Sequence, residues 1–335
     1  MTIALVKNDE IIWTGAYGYS NVWAKTRAVP STVYLIGSTF KAMSTVGLLQ
    51  QAERGKFDLD EPVREHLEGL VIRGEDASNP ITFRHLLTHT SGLPVAFDPY
   101  TVWGDEAPPP LDVYLGEALG VDRPPLQKIE YSNMAYSLVG HLVASFSGMD
   151  YREYIQDEIW TPLEMSSTAF EPTPEMEERL AIPYVLHPDT KRPVPTVRLK
   201  ASVWPAGIVY GTVLDQANWL IANLNGGVFK GRNLLGEDWM AQMHTRQYEA
   251  FKGPISGLWG GEEAGYGLTW WVEQRQDGRI FAHSGSVPGY TAFLQGNLDA
   301  GVGVAILTNG NRAHPHLISL ADHALEVTRA MAAVQ

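Results

Sequence analysis

The sequence predicts an α+β fold: one antiparallel sheet built from both ends of the chain, flanked by helices, with a mostly helical lobe inserted between. Three observations predict it. Residues 3–7 and 11–18 are apolar or alternating runs joined by the polar turn Asn8-Asp9-Glu10, a hairpin signature. Residues 267–273, 279–282, 291–298 and 302–307 are short strand-like runs separated by turns. Helical patterns and proline-rich loops fill the middle. The economical assembly is a single domain, with a sheet lobe of about 1–60 plus 205–335 and a helical lobe of about 61–204. A site then falls in the cleft between the lobes.

The elements follow in order. After the hairpin a loop runs to about residue 37, and a helix from Ser38 to Glu53 is stopped by Gly55. Asp58-Leu59-Asp60-Glu61-Pro62 reads as a helix start, with an acidic first turn and a proline near its first position. Residues 82–89 form a short amphipathic helix stopped by Ser91-Gly92-Leu93-Pro94. Residues 95–110 hold four prolines and little periodicity, so they read as a loop over the site. Residues 133–147 and 151–159 are helical, and 170–204 are irregular and proline-rich. Helices over 212–224 and 237–247 precede the late strands, and a helix over 315–333 closes the chain.

With 335 residues the chain can bury a full core. Its formal charge of -13 argues against a nucleic-acid partner or an anionic membrane surface. It has no cysteine, which removes disulfides, thiol catalysis and thiolate metal sites together. No apolar run has the length of a membrane span. Residues 1–6 are too short for a signal-peptide core, so the chain as given is expected in the cytoplasm; a trimmed, exported precursor reads the same way.

The chemistry begins at Ser38-Thr39-Phe40-Lys41. A serine and a lysine three apart at a helix start share one face, and a lysine held in a tight site can take the serine's proton. A second signal is Glu130-Tyr131-Ser132-Asn133, at a loop-to-helix junction. A lysine ammonium beside the tyrosine would favour its phenolate, making it a general base. The amide of Asn133 suits an ester or amide substrate, although this residue also fits a helix cap. A third is His283-Ser284-Gly285-Ser286 on a late strand. Its glycine allows a substrate along the strand edge, and the amides of Ser38 and Ser286 can form an oxyanion hole. Each motif alone is weak: Tyr131 reads equally as a packed aromatic, and His283 as a strand-end histidine.

Together, in this order and these contexts, the motifs give the chain its resemblance. It is similar to the β-lactamase-like, penicillin-recognising serine hydrolases, in the branch of class C β-lactamases, D-alanyl-D-alanine carboxypeptidases, D-aminopeptidases and β-lactamase-like carboxylesterases. Ser38-Thr39-Phe40-Lys41, Tyr131-Ser132-Asn133 and His283-Ser284-Gly285 stand as the three motifs. Further matching stretches are 81–94, Pro205-Ala206-Gly207, Leu224-Asn225-Gly226-Gly227, Tyr266-Gly267-Leu268 and Leu307-Thr308-Asn309, so the resemblance spans nearly the whole chain. It implies a β-lactamase/transpeptidase-like fold with Ser38 as acylated nucleophile and Lys41 and Tyr131 moving protons. It further implies Asn133 and the His283-Ser284-Gly285 strand against the substrate, the Ser38 and Ser286 amides on the oxyanion, and no cofactor or metal. Two departures stand out. Where the β-lactamases have a Lys-Thr-Gly strand this chain has His-Ser-Gly, and a mostly neutral histidine lacks the cation that meets a substrate carboxylate. Also, the family usually places a helix before the first strand, and this chain begins on the strand.

Other residues read more plainly. His85 and His89 have a zinc-compatible spacing, but Leu86 stands where a zinc protease carries glutamate, so a helix face is the better reading. Trp270 and Trp271 point to opposite faces of a strand, and Trp103 and Trp204 are the better candidates for an acyl pocket. Asp215 reads as a surface or capping group. No G-x-S-x-G elbow occurs, which counts against an α/β-hydrolase. The leading expectation is a serine hydrolase acting through a Ser38 acyl-enzyme on small carboxylic esters or D-amino-acid-type peptides, with weak or no β-lactamase activity. The alternatives are an acyltransferase or peptide cyclase on the same site, and a non-catalytic penicillin-receptor-like binding protein. Oligomeric state is open.

Overall fold

Alternation in the first residues becomes a hairpin. Strand β1 (Thr2–Lys7) runs antiparallel to β2 (Glu10–Ala16), and Asn8 turns the chain at φ 54°, a left-handed conformation that asparagine tolerates. Near the other end lie β3 (Ala264–Tyr266), β4 (Trp271–Arg275), β5 (Gly278–Val287), β6 (Tyr290–Asn297) and β7 (Val302–Thr308). The sheet order is β3-β4-β5-β6-β7-β1-β2, antiparallel throughout. The two chain ends meet where Ile3 faces Ile306 and Leu5 faces Val304. The computed structural model, which describes residues 1–95, 101–103, 106–255 and 257–332, therefore holds the single antiparallel sheet that the sequence predicts.

The helices are α1 (Lys41–Glu53), α2 (Phe83–Leu87), α3 (Leu111–Ala118), α4 (Asn133–Ser147), α5 (Tyr151–Ile155), α6 (Pro174–Glu177), α7 (Val213–Leu224), α8 (Glu237–Met243) and α9 (His314–Ala332). They cover both faces of the sheet. On one face Leu317, Ala321 and Leu325 of α9 bury Ile3, Phe293, Val304 and Ile306. On the other, Ala4, Val6, Leu294, Ala305 and Leu307 join the main core with α1, α4 and α7. Residues 3 to 6 thus divide between two cores by strand alternation alone. Helix α1 is buried from Lys41 to Ala52, as a helix enclosed on all sides must be. Its polar residues find partners: Ser44 bonds the Tyr151 hydroxyl at 2.6 Å and donates to the Pro205 carbonyl at 2.8 Å. Among the described residues no helix is long and apolar enough to cross a membrane.

The structure corrects several expected elements. The start at Asp58 yields only a single 3-10 turn, Val63–His66, because Pro62 is extended (ψ 121°) and Leu67 leaves the helical region. The loop over 95–110 contains a short strand, Thr101–Trp103, paired with Leu199–Ala201; the rest of it lies partly outside the described residues. The irregular stretch 170–204 also holds α6 and the paired strands Tyr184–Leu186 and Pro193–Pro195. Three-residue strands carry no readable period, which also hid β3. The helix expected over 151–159 continues past Ile155 as one π turn, Gln156–Trp160.

Candidate active site

The site is built where three glycine-containing segments meet. Gly37 has φ 60° and begins a 3-10 turn, Gly37–Phe40, which runs straight into α1. A Cβ on Gly207 would lie 2.6 Å from the Gly37 carbonyl carbon, and one on Gly285 would lie 2.1 Å from the Ile36 oxygen. Only glycine permits that approach of backbone to backbone. The Ser286 amide nitrogen is brought against Gly37, 2.9 Å from where a side chain there would start. The amides of Ser38 and Ser286, expected as an oxyanion pair, therefore belong to two segments in direct contact. Gly37, Ala206, Gly207, Ile208, Ser286 and Val287 line a small recess around Ser38.

Ser38 is half-buried, and Lys41, the first residue of α1, is fully buried. The Lys41 Nζ lies 3.2 Å from Ser38 Oγ, 2.7 Å from Asn133 Oδ1 and 2.6 Å from the Ala206 carbonyl. Among the described residues it has no carboxylate partner, and burial holds its pKa well below the usual lysine range. Both carbonyl oxygens can only accept. A neutral amine therefore gives its two N–H bonds to Asn133 and Ala206 and turns its lone pair to the Ser38 hydroxyl.

Tyr131 stands just before α4, with its ring centroid 4.7 Å from Lys41 Nζ and with the Ser38 side chain near enough to lower its pKa. The expected phenolate is not supported. Burial pushes this pKa well above 10, further raised by Tyr266 and Tyr136, while Ser38 lowers it. The lysine expected to stabilise the phenolate is itself held toward its neutral form, so Tyr131 rests as a phenol. Asn133 is the first residue of α4 rather than its cap. Ser132 caps the helix by accepting the Ala135 N–H at 3.0 Å. The Asn133 amide oxygen serves Lys41, and its Nδ2 is buried without a protein partner.

The third motif lies on β5, beyond the point where β4 stops pairing with it at Ala282. His283 and Gly285 pair with Leu294 and Ala292, on the main-core face. Ser284 and Ser286 take the opposite face by alternation, the one shared with Phe293 and α9. At the free edge these serines offer backbone groups. His283 is buried and stacks on Trp271 with ring centroids 5.5 Å apart. Burial, and then the charge of Lys41, lower its pKa to about 3, so it is neutral.

Of the remaining candidates, His85 and His89 do not share a helix face. Helix α2 ends at Leu87, His85 caps its start through Thr82, and His89 has φ 59°. His89 instead packs on Tyr131, a placement the sequence reading missed; Thr90-Ser91-Gly92, directly after it, signal that it lies past the helix end. The Ala206 carbonyl was missed too, since a backbone acceptor leaves no mark in side-chain motifs. Trp270 lies in the main core and Trp271 in the second, on opposite faces as expected. Trp204 lines a cavity of about 770 Å³ together with Phe170, Tyr210 and Ile208, the last shared with the Ser38 recess. The side chain of Trp103 lies outside the described residues. A second cleft, of about 540 Å³, is walled by Tyr131, Tyr266, Phe251 and Ile255. Asp215 is buried rather than on the surface. It accepts the Ser167 N–H at 2.9 Å and the Thr168 hydroxyl at 2.7 Å.

Comparison with known proteins identifies the family and the fold. The Beta-lactamase family model matches residues 1–329. Protein flp of Staphylococcus aureus (strain MW2) is 27% identical over 323 residues, covering 95% of this chain and 61% of that protein. The chain thus spans less than two thirds of that relative's length. Among solved structures, the octameric penicillin-binding protein homologue from Pyrococcus abyssi superposes with a TM-score of 0.79 at 26% identity, covering 98% of this chain and 73% of that one. The D-amino acid amidase from Ochrobactrum anthropi SV3, complexed with L-phenylalanine amide, gives a TM-score of 0.75 at 24% identity, covering 98% and 93%. A match over nearly the whole length, on a fold of one antiparallel sheet flanked by helices, shows that the chain belongs to the beta-lactamase family.

Proposed function

We propose that the protein is a serine hydrolase that forms an acyl-enzyme at Ser38 and acts on small carboxylic esters or on amides and peptides of D-amino acids. The observation that carries this is the setting of Lys41: fully buried, without a counter-ion, bound to two carbonyl acceptors and directed at Ser38 over 3.2 Å. That is the environment of a base, because desolvation opposes the ammonium and the two acceptors leave the lone pair for the serine proton.

The steps balance as follows. Ser38 Oγ attacks the substrate carbonyl as its proton passes to Lys41. The ammonium formed makes three donated bonds, to Ser38, Asn133 and Ala206, so the same partners satisfy both protonation states. The developing oxyanion is held by the Ser38 and Ser286 amides. Tyr131, a phenol beside Ser38, gives its proton to the leaving alkoxide or amine and regains one from Lys41. Water then attacks the acyl-enzyme and loses a proton to Lys41, which returns it to Ser38 Oγ as the acyl–oxygen bond breaks and the acid leaves.

The substrate class follows from charge. His283 is neutral where a carboxylate-binding site needs a cation, so uncharged esters and amides are favoured and β-lactam turnover is weak. The D-amino acid amidase shares the fold, which makes a D-amino acid amide the natural amide to try. The test is intact-mass spectrometry after incubation with a short-chain chromogenic ester, a D-amino acid amide and a penicillin, in wild type and Ser38→Ala. A Ser38-dependent acyl adduct with ester or amide turnover is expected. Undiminished turnover in Ser38→Ala overturns the reading.

A further inference from the structure

His89 is outside the proposed proton path, yet it grips the chain on both sides of Tyr131. Its ring packs against the Tyr131 ring, tilted by 36°, with centroids 4.3 Å apart. Its Nδ1 accepts the N–H of Ser132, the residue after the tyrosine, at 3.1 Å. Its backbone carbonyl accepts the N–H of Glu130, the residue before, at 2.8 Å. To aim carbonyl and ring this way His89 takes φ 59°, a strained conformation for a residue with a Cβ.

Other bonds anchor the residues after the tyrosine, from the Ser132 hydroxyl to the Pro94 carbonyl at 2.7 Å and from the Asn133 N–H to the Val95 carbonyl at 3.1 Å, whereas His89 brackets it on both sides and packs on its ring. Tyr131 precedes α4, and the helix's own capping bond, from the Ala135 N–H to Ser132 Oγ, begins one residue too late to hold it. The His89 ring is itself enclosed by Tyr136 and Tyr266, at 5.3 and 5.5 Å between centroids. Because Nδ1 accepts, the proton of the neutral ring sits on Nε2, which is buried without a protein partner. The ring is therefore oriented by its Ser132 bond and its packing.

We propose that His89 is a positioning residue for Tyr131, holding the phenol where its hydroxyl meets Ser38. The inference rests on the acyl-enzyme reading above. If it holds, loss of His89 harms proton delivery to the leaving group more than it harms attack by Ser38. A misplacement of about 1 Å in such a group costs on the order of a hundredfold.

The test uses two esters with the same acyl group. A p-nitrophenoxide leaves without a proton; an ethoxide needs one. His89→Leu is expected to lose about a hundredfold in kcat/KM on the ethyl ester and far less on the nitrophenyl ester. His89→Asn, which places an amide oxygen near the position of Nδ1 and tolerates left-handed backbone, is expected to recover about tenfold of that loss. Hydrogen exchange at the Ser132 amide, which needs no turnover, is expected to quicken in His89→Leu and slow again in His89→Asn. Equal losses on both esters, in a His89→Leu protein that melts like wild type, overturn the proposal, as does unchanged Ser132 exchange. If His89→Leu does not fold, His89→Gln is judged by the same criteria. A wild type without Ser38-dependent turnover refutes the acyl-enzyme reading instead, and the exchange still decides whether the clamp exists.

Discussion

Two buried charges at two helix starts are treated in opposite ways. Lys41 is the first residue of α1, and Asp215 lies in the first turn of α7. Both lose water on folding. The positive end of a helix dipole favours an anion, so Asp215 sits where a carboxylate is welcome and Lys41 where an ammonium is not. Asp215 also gathers donors: the Ser167 backbone N–H and the Thr168 hydroxyl, with the Thr212 hydroxyl and the Arg179 charge nearby. Lys41 gathers two carbonyls and a hydroxyl, and no carboxylate. Burial still wins at Asp215, lifting its pKa to about 6, but the donors limit the rise. At Lys41 no ion pair opposes burial. On the proposed reading, a base is made by withholding a counter-ion, and a structural carboxylate by supplying donors.

The sharpest way to break this contrast is to remove each charge. Lys41→Met should lower kcat by about a thousandfold, within the usual worth of a general base. Asp215→Asn should leave kcat within about twofold, since Asp215 bonds residues 167 and 168 and takes no part in the recess around Ser38. Steady-state rates on an uncharged ester measure both. A comparable loss in the two variants would mean that the site depends on fold integrity and not on the amine.

The pH dependence separates them next. Lys41 must be neutral to accept a proton, so kcat/KM falls about tenfold for each pH unit below its pKa, which burial holds well below the ordinary lysine value. His283, with a pKa of about 3, is already neutral near physiological pH and cannot produce an acid limb there. His283→Asn should leave its midpoint in place; a profile in which that variant erases the limb assigns the base to the histidine.

Asp215 should show itself in stability instead. Its pKa is raised on folding, so the folded state disfavours the ionised form. Its contribution is intact below about pH 4 and is lost as pH rises through about 6. The climb from 3.8 to about 6 corresponds to about 3 kcal/mol. Urea unfolding at pH 4 and pH 8 should show wild type losing up to that amount relative to Asp215→Asn. Parallel behaviour of the two proteins would remove Asp215 from the account.

What the sequence showed of this contrast depended on the kind of signal. Strand alternation in residues 3–6 placed Ile3 and Ala4 on different cores, and the Ser38–Lys41 spacing put both side chains on one helix face. Local periodicity carries such information. The ionisation of Tyr131 was misread, because the tyrosine was paired with an ammonium while burial favours neutral lysine and phenol alike. The reading of Asp215 as a surface or capping group misses its burial for the same reason: desolvation is a tertiary property. The Ala206 carbonyl and the His89 ring reach the site across 165 residues from Lys41 and 43 from Ser132, which no local pattern records.

The smallest effect tests the contrast within the tyrosines around Lys41. Tyr136 has its ring 5.4 Å from Nζ against 4.7 Å for Tyr131, and burial raises both pKa values. What differs is the partner. Tyr131 meets the side chain of Ser38, the proposed nucleophile, whereas Tyr136 bonds Thr269 and Thr45, which also bond each other. If proximity to the amine made a tyrosine functional, the two would be nearly equivalent. If the contact with Ser38 does so, Tyr136→Phe leaves the two threonines satisfied by one another and changes kcat by no more than about threefold, while Tyr131→Phe loses about a hundredfold or more on an ethyl ester. Matched losses in the two variants would show that the amine's aromatic enclosure, and not the hydroxyl on Ser38, sets the rate.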